Sequence, residues 1–150
     1  MMRSSKFVSV MTVLIALSMF IGAEIATAEG NRLRASLSGD KEVGSPGDPD
    51  GSGTARIRLR PRAKRVCWRL TWQNISQPQA AHIHKGTRTE SGDVVVNLFL
   101  EPQDGNEASG CEDNVRRRLI RRIKKHPRRF YVNVHTEDFP AGAIRGQLHR

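Results

Sequence analysis

His82, Ile83 and His84 place two imidazoles two positions apart. On a strand, such neighbours project from the same face about 7 Å apart. The pair can therefore chelate one ion through neutral ring nitrogens, and copper and zinc are the metals that imidazole suits. A third ligand has to come from elsewhere in the chain, and His135 is the best placed. Within Phe130–Thr136 it shares a face with Tyr131 and Asn133, opposite Phe130, Val132 and Val134. The same three rings could instead satisfy buried hydrogen bonds, tying the loop at Gly86 to the turn at Thr136–Gly142. His126 and His149, beside a helix end and the C-terminus, read as solvated.

Other chemistries find no support. Asp48-Pro49-Asp50-Gly51-Ser52 starts like a calcium loop, but its Gly is fourth, and Leu59 stands at the twelfth place, where Glu is needed. Neither a Gly-x-Ser-x-Gly elbow nor a phosphate-cradling Gly-rich loop occurs. The sequon Asn74-Ile75-Ser76 has meaning only in a glycosylating host.

The first stretch reads as a signal peptide, residues 1–28. Arg3 and Lys6 precede an apolar run from Phe7 to Ala23, and Ala26-Thr27-Ala28 supplies the small-x-small cleavage pattern. The expected product is a secreted single domain, 29–150, with no transmembrane segment. Export permits a disulfide, and the two cysteines, Cys67 and Cys111, are the only candidates for one. A bonded pair excludes a cysteine nucleophile. Two cysteines also exclude a zinc ribbon or a knottin.

Short alternating runs must position these residues. Leu33–Gly39, Thr54–Arg60, Arg65–Trp72, Ala80–His84, Asp93–Leu100, Phe130–Thr136 and Ala143–His149 read as strands separated by Gly, Pro and Asp turns. Gly44–Gly53 is a Gly/Pro/Asp loop that cannot hold regular structure. The expectation is an all-β Greek-key or immunoglobulin-like sandwich or barrel of about 7–8 antiparallel strands. One segment departs from that pattern. From Asn114 to Lys125, Val115, Leu119, Ile120 and Ile123 recur at helical spacing, with Asp113 or Asn114 to cap the start and Pro127 to end it.

The 150 residues carry 25 Lys and Arg against 15 Asp and Glu, a net charge of +10. Arg117, Arg118, Arg121, Arg122, Lys124 and Lys125 cluster on the helix and form a candidate anion-binding face. Such a face could bind nucleic acid, an anionic cell-surface polymer or anionic lipid, or could simply be solvated, as an Arg-rich composition of 19 Arg to 6 Lys would also give. With aromatic residues at 5%, mostly in expected core positions, there is no base-stacking platform, which argues against sequence-specific nucleic-acid recognition.

Four motifs in order carry a family resemblance. They are His82-Ile83-His84-Lys85-Gly86, Gly92-Asp93-Val94-Val95-Val96, Tyr131-Val132-Asn133-Val134-His135-Thr136, and Pro140-Ala141-Gly142-Ala143-Ile144-Arg145-Gly146-Gln147-Leu148. Together they resemble the CHRD domain, named after chordin, from about Leu33 to Leu148. The resemblance implies an extracellular β-sandwich or barrel of immunoglobulin-like type and brings no activity or catalytic residues with it. The expected role is a non-catalytic binding or cell-envelope module, with an extracellular protein as one partner class. It singles out Gly86, Asn133 and Arg145 as motif positions. A more distant likeness is to copper–zinc superoxide dismutases, in which a strand His-x-His, a later strand His and an Arg occur in the order of His82, His84, His135 and Arg145. No bridging histidine follows within Lys85–Glu112, and the zinc set of that enzyme has no counterpart. That likeness extends to a three-histidine copper or zinc site and not to a two-metal redox centre.

Overall fold

The structure, a computed structural model, describes residues 30–150; the expected signal peptide lies outside the described residues. Eight strands follow one another as β1 (Arg32–Ser38), β2 (Ser52–Arg60), β3 (Arg65–Gln73), β4 (Pro78–Lys85), β5 (Val94–Phe99), β6 (Glu107–Glu112), β7 (Phe130–Thr136) and β8 (Ile144–Gln147). One helix, α1 (Arg117–Lys125), lies between β6 and β7. All eight strands form one antiparallel sheet in the order β5-β4-β7-β8-β1-β2-β3-β6. Its edge strands β5 and β6 approach each other, so the sheet curls into a nearly closed barrel with Greek-key connections. The expected all-β architecture is the one observed.

Period-2 alternation drives the closure. Leu33, Ala35 and Leu37 of β1, Ala55, Ile57 and Leu59 of β2, and Val66, Trp68, Leu70 and Trp72 of β3 all point inward and are buried. Ala81, Ile83, Val132, Val134 and Ile144 complete the lining from the other half of the sheet. Ile120 and Ile123 of α1 join the same core and are fully buried, so the helix stoppers the barrel with its apolar arc. None of the described helices is long and apolar enough to cross a membrane.

Several boundaries differ from those expected. The helix starts at Arg117 rather than Asn114, and neither Asp113 nor Asn114 caps it. Asp113 is held by the Arg65 guanidinium, and Asn114 sits in the left-handed region at φ 61°. The Val115 N–H is bonded to the Lys64 carbonyl. These long-range contacts hold the chain extended for one more turn. Ser52 and Gly53, expected in the loop, join β2 by pairing with Ser38 and Leu37 on one side and Gln73 and Trp72 on the other. The last strand shortens to Ile144–Gln147, and His149 keeps only an isolated bridge to Arg34.

Strand β6 was not expected at all. Its sequence EASGCE has no apolar alternation, and it is a strand because it pairs with β3 from Val66–Glu112 to Thr71–Glu107. That register sets Cys67 directly opposite Cys111, and the two form the expected disulfide on the outer face of the barrel.

Candidate metal centre

The neighbours β4 and β7 are separated in sequence but adjacent in the sheet, and their register decides the site. His82 lies opposite Asn133, His84 opposite Tyr131, and Ala80 opposite His135. Strand β8 continues two of these rows, with Arg145 opposite Asn133 and Gln147 opposite Tyr131. Since Ala81, Ile83, Val132 and Val134 point into the barrel, this polar set points outward. On the β5 side, irregularities in the pairing fall at Ala81/His82 and at Ile83/His84. Breaks of this kind re-aim side chains.

The outward face is nonetheless buried, because two loops lie over it. Tyr131, Asn133 and Arg145 are only 2%, 3% and 2% exposed. Arg145 clamps the 86–92 loop by donating to the carbonyls of Thr87 at 2.7 Å and Glu90 at 2.8 Å, while its guanidinium lies 3.5 Å from the Tyr131 ring centre. Gln147 donates to the Gly86 carbonyl at 2.7 Å, and the Gly92 N–H donates to the Tyr131 hydroxyl. Gly86 has no room for a side chain: a Cβ there would stand 2.7 Å from the Glu90 carbonyl oxygen and 2.9 Å from the Tyr131 ring. The three motif positions are thus a close approach (Gly86), a buried amide (Asn133) and a loop clamp (Arg145).

Within this layer the three histidines converge, each offering a ligand atom within 4.8 Å of the others. The ring centres of His82 and His135 stand 5.0 Å apart, those of His82 and His84 5.6 Å, and those of His84 and His135 6.1 Å. Backbone carbonyls fix two of the tautomers. His84 Nδ1–H donates to the Gly92 carbonyl at 2.8 Å, and His135 Nδ1–H donates to the Pro140 carbonyl at 3.0 Å. Each ring is left with a bare Nε2. The His84 Nε2 is buried with no hydrogen-bond partner, while the His135 Nε2 faces His82 Nδ1 at 3.1 Å and accepts its proton. A ligating histidine whose other nitrogen is held by a carbonyl is the common arrangement around protein-bound metals. In His84 and His135 the nitrogen that bonds a carbonyl and the nitrogen open to a ligand's role are therefore different atoms of one ring, whereas the His82–His135 hydrogen bond occupies the place an ion would take.

Electrostatics keep the set neutral. Burial pushes the His82 imidazole down to about 4, with further lowering from His135 and His84. Burial likewise lowers His84 and His135, against the opposing pull of their carbonyl hydrogen bonds. Neutral imidazole is the form that coordinates. Three nitrogens bound at 2.0–2.1 Å stand about 3.5 Å apart, so ring shifts of the order of 1 Å close the set around one ion. His82 and His135 also line an open cleft of about 660 Å³ with Gln79, Ala80, Thr136, Glu137 and Pro140, which gives an ion a route from solvent.

The sequence offered no sign of Glu42, which belongs to the same layer. It reaches the site from the loop after β1 and accepts from Asn133 Nδ2 at 3.3 Å. Burial raises its carboxyl to about 7, although Arg145 and the Asn133 bond pull the other way. Its Oε1 and the Asn133 Oδ1 are both buried without partners. Gly142 permits that approach: its φ is +145°, and a Cβ would stand 2.6 Å from Glu42 Oε1. His126 and His149 are exposed, as expected.

The basic residues of α1 lie apart from this layer. Arg117, Arg118, Arg121, Arg122 and Lys125 are exposed and Lys124 is half-buried, with the Arg117 Nε donating to the Pro61 carbonyl at 3.3 Å.

Neither a curated protein nor a solved structure matches the chain. The sequence profile of the CHRD domain matches residues 33–148, from the first core leucine of β1 to the residue after β8. The chain therefore belongs to the CHRD domain family, and that membership supports a non-enzymatic binding role in general terms.

Proposed function

We propose that this protein is a secreted binding module of the CHRD type that holds one copper or zinc ion on His82, His84 and His135. The observation that carries the reading is the convergence of three neutral imidazoles within 4.8 Å, two of them oriented by backbone carbonyls. An ion would take the position of the proton that His82 and His135 share, and would give the unpartnered His84 Nε2 a ligand's role. Copper(II) should bind more tightly than zinc, following the general order of affinities for nitrogen sites. Export is part of the same reading, drawn from the N-terminal segment and in keeping with the disulfide. A place in the cell envelope, with an extracellular protein or anionic polymer as partner, belongs to it as well.

Calorimetry on chelator-washed protein tests the metal. One equivalent of copper or zinc should bind the wild type, and His84→Ala should weaken binding at least tenfold. The absence of binding heat from both metals in the wild type ends the reading.

A further inference from the structure

The other half of the barrel carries a feature unconnected with the histidines. Strands β1, β2 and β3 pair so that Arg34 lies directly opposite Arg56, Arg56 opposite Arg69, and Arg32 opposite Arg58. Arg60 follows Arg58 on the same outer face of β2. All of these side chains are exposed. Arg69 is balanced by Glu107. Among the described residues, Arg32, Arg34, Arg56, Arg58 and Arg60 make no ion pair and no side-chain hydrogen bond.

Like charges directly opposite on neighbouring strands repel. A merely arginine-rich composition would not by itself place five unpaired guanidinium groups in adjacent rows. From the geometry we infer that this face binds an extended linear polyanion, a phosphodiester polymer of the polyol-phosphate kind found at cell surfaces. Charges recur about 4.8 Å apart across the strands and about 6.8 Å apart along them. A chain laid along β2 meets Arg56, Arg58 and Arg60 in turn, with Arg34 and Arg32 beside the first two on β1. The free cations end at β3, where Cys67 stands opposite Arg58 and Arg69 is held by Glu107. The face is free of exposed aromatic rings, so nucleic-acid bases find no stacking surface. It also presents no apolar side chain to enter a lipid headgroup layer: among the described residues the exposed large hydrophobic ones, Val94 and Leu100, lie at the two ends of β5. The basic lattice continues through Arg62 and Lys64 of the β2–β3 turn, where Arg117 of α1 reaches Pro61.

The test is binding of disulfide-intact protein to poly(glycerol phosphate) over a range of salt, with single-stranded DNA and anionic vesicles as comparators. About 0.7 in the slope of log K against log salt for each phosphate contacted gives a slope near −3.5 for five arginines. The triple variant Arg34→Gln, Arg56→Gln, Arg58→Gln should reduce that slope by about 2 and weaken binding at least tenfold. Its unfolding midpoint should stay level or rise, because repulsion is relieved. The matching triple Lys variant keeps the charge and should bind within a few-fold of wild type. A charge reversal on α1 (Arg117→Glu, Arg121→Glu, Lys124→Glu) should weaken binding less than the Gln triple. The inference is overturned if the Gln triple binds like wild type, if the α1 variant alone abolishes binding, or if DNA or vesicles bind more tightly than the polymer.

Discussion

Glu42 and His82 take up protons over overlapping pH ranges with opposite consequences for stability, and replacing Glu42 separates them. In the unfolded chain His82 protonates at its ordinary value near 6.5, whereas in the fold burial holds it to about 4. Between those limits the unfolded state binds a proton that the native state refuses, so acidification from pH 6.5 to 4 destabilises the fold. Glu42 behaves in the opposite sense. Its carboxyl ordinarily ionises at 4.5 but in the fold holds its proton to about 7, so acidification from pH 7 to 4.5 favours the native state. At about 1.4 kcal/mol for each pH unit between folded and unfolded midpoints, each group has a ceiling of about 3.4 kcal/mol. Both side chains are only half-buried, and solvent screening reduces the working value to about 1–2 kcal/mol apiece.

Glu42→Gln mimics the protonated acid at every pH and removes its contribution. Relative to wild type, the variant should gain about 1–2 kcal/mol at pH 7.5 and lose that advantage on going to pH 4.5. His82→Gln should differ from wild type in the opposite direction, becoming relatively more stable in acid. Urea unfolding followed through the buried Trp68 and Trp72, with a chelator present to keep the histidines free, measures both differences. His84 and His135 share the sign of His82 and cancel in the Glu42→Gln comparison. Parallel stability curves for wild type and Glu42→Gln from pH 4.5 to 7.5 would refute the claim that the buried carboxyl keeps its proton.

Gly142→Ala should cost about 2–4 kcal/mol, because alanine at φ +145° is strained and its Cβ would crowd Glu42 and Asn133; an unchanged urea midpoint would show that the turn adapts freely. The same substitution should weaken metal binding, since the Pro140 carbonyl that orients His135 lies in that turn. Mass spectrometry of protein recovered from culture medium should find an N-terminus near Glu29, and soluble extracellular protein that keeps Met1 would refute the reading of Ala26-Thr27-Ala28 as a cleavage site.

Much of the fold follows from local rules that act on neighbouring residues. Seven strands follow from alternation, because an apolar residue at every second place must share one face. The α1 face follows from the 3.6-residue period, and Ile120 and Ile123 are buried as that period requires, whereas Val115 is buried from the non-helical segment before the helix. That His82 and His84 project together is equally local, and with two cysteines in the chain Cys67–Cys111 is the one disulfide available. Tertiary structure alone decided the rest. Polar β6 is a strand only because β3 offers it hydrogen bonds. His135 reaches His82 only because the chain crosses over to set β7 beside β4. Alternation marks Tyr131, Asn133 and Arg145 as facing away from the core, yet loops that contact β8 and β7 seal them from water and bring Glu42 among them. Periodicity reports which residues share a face; which faces meet, and what covers them, depends on pairing between segments far apart in the chain.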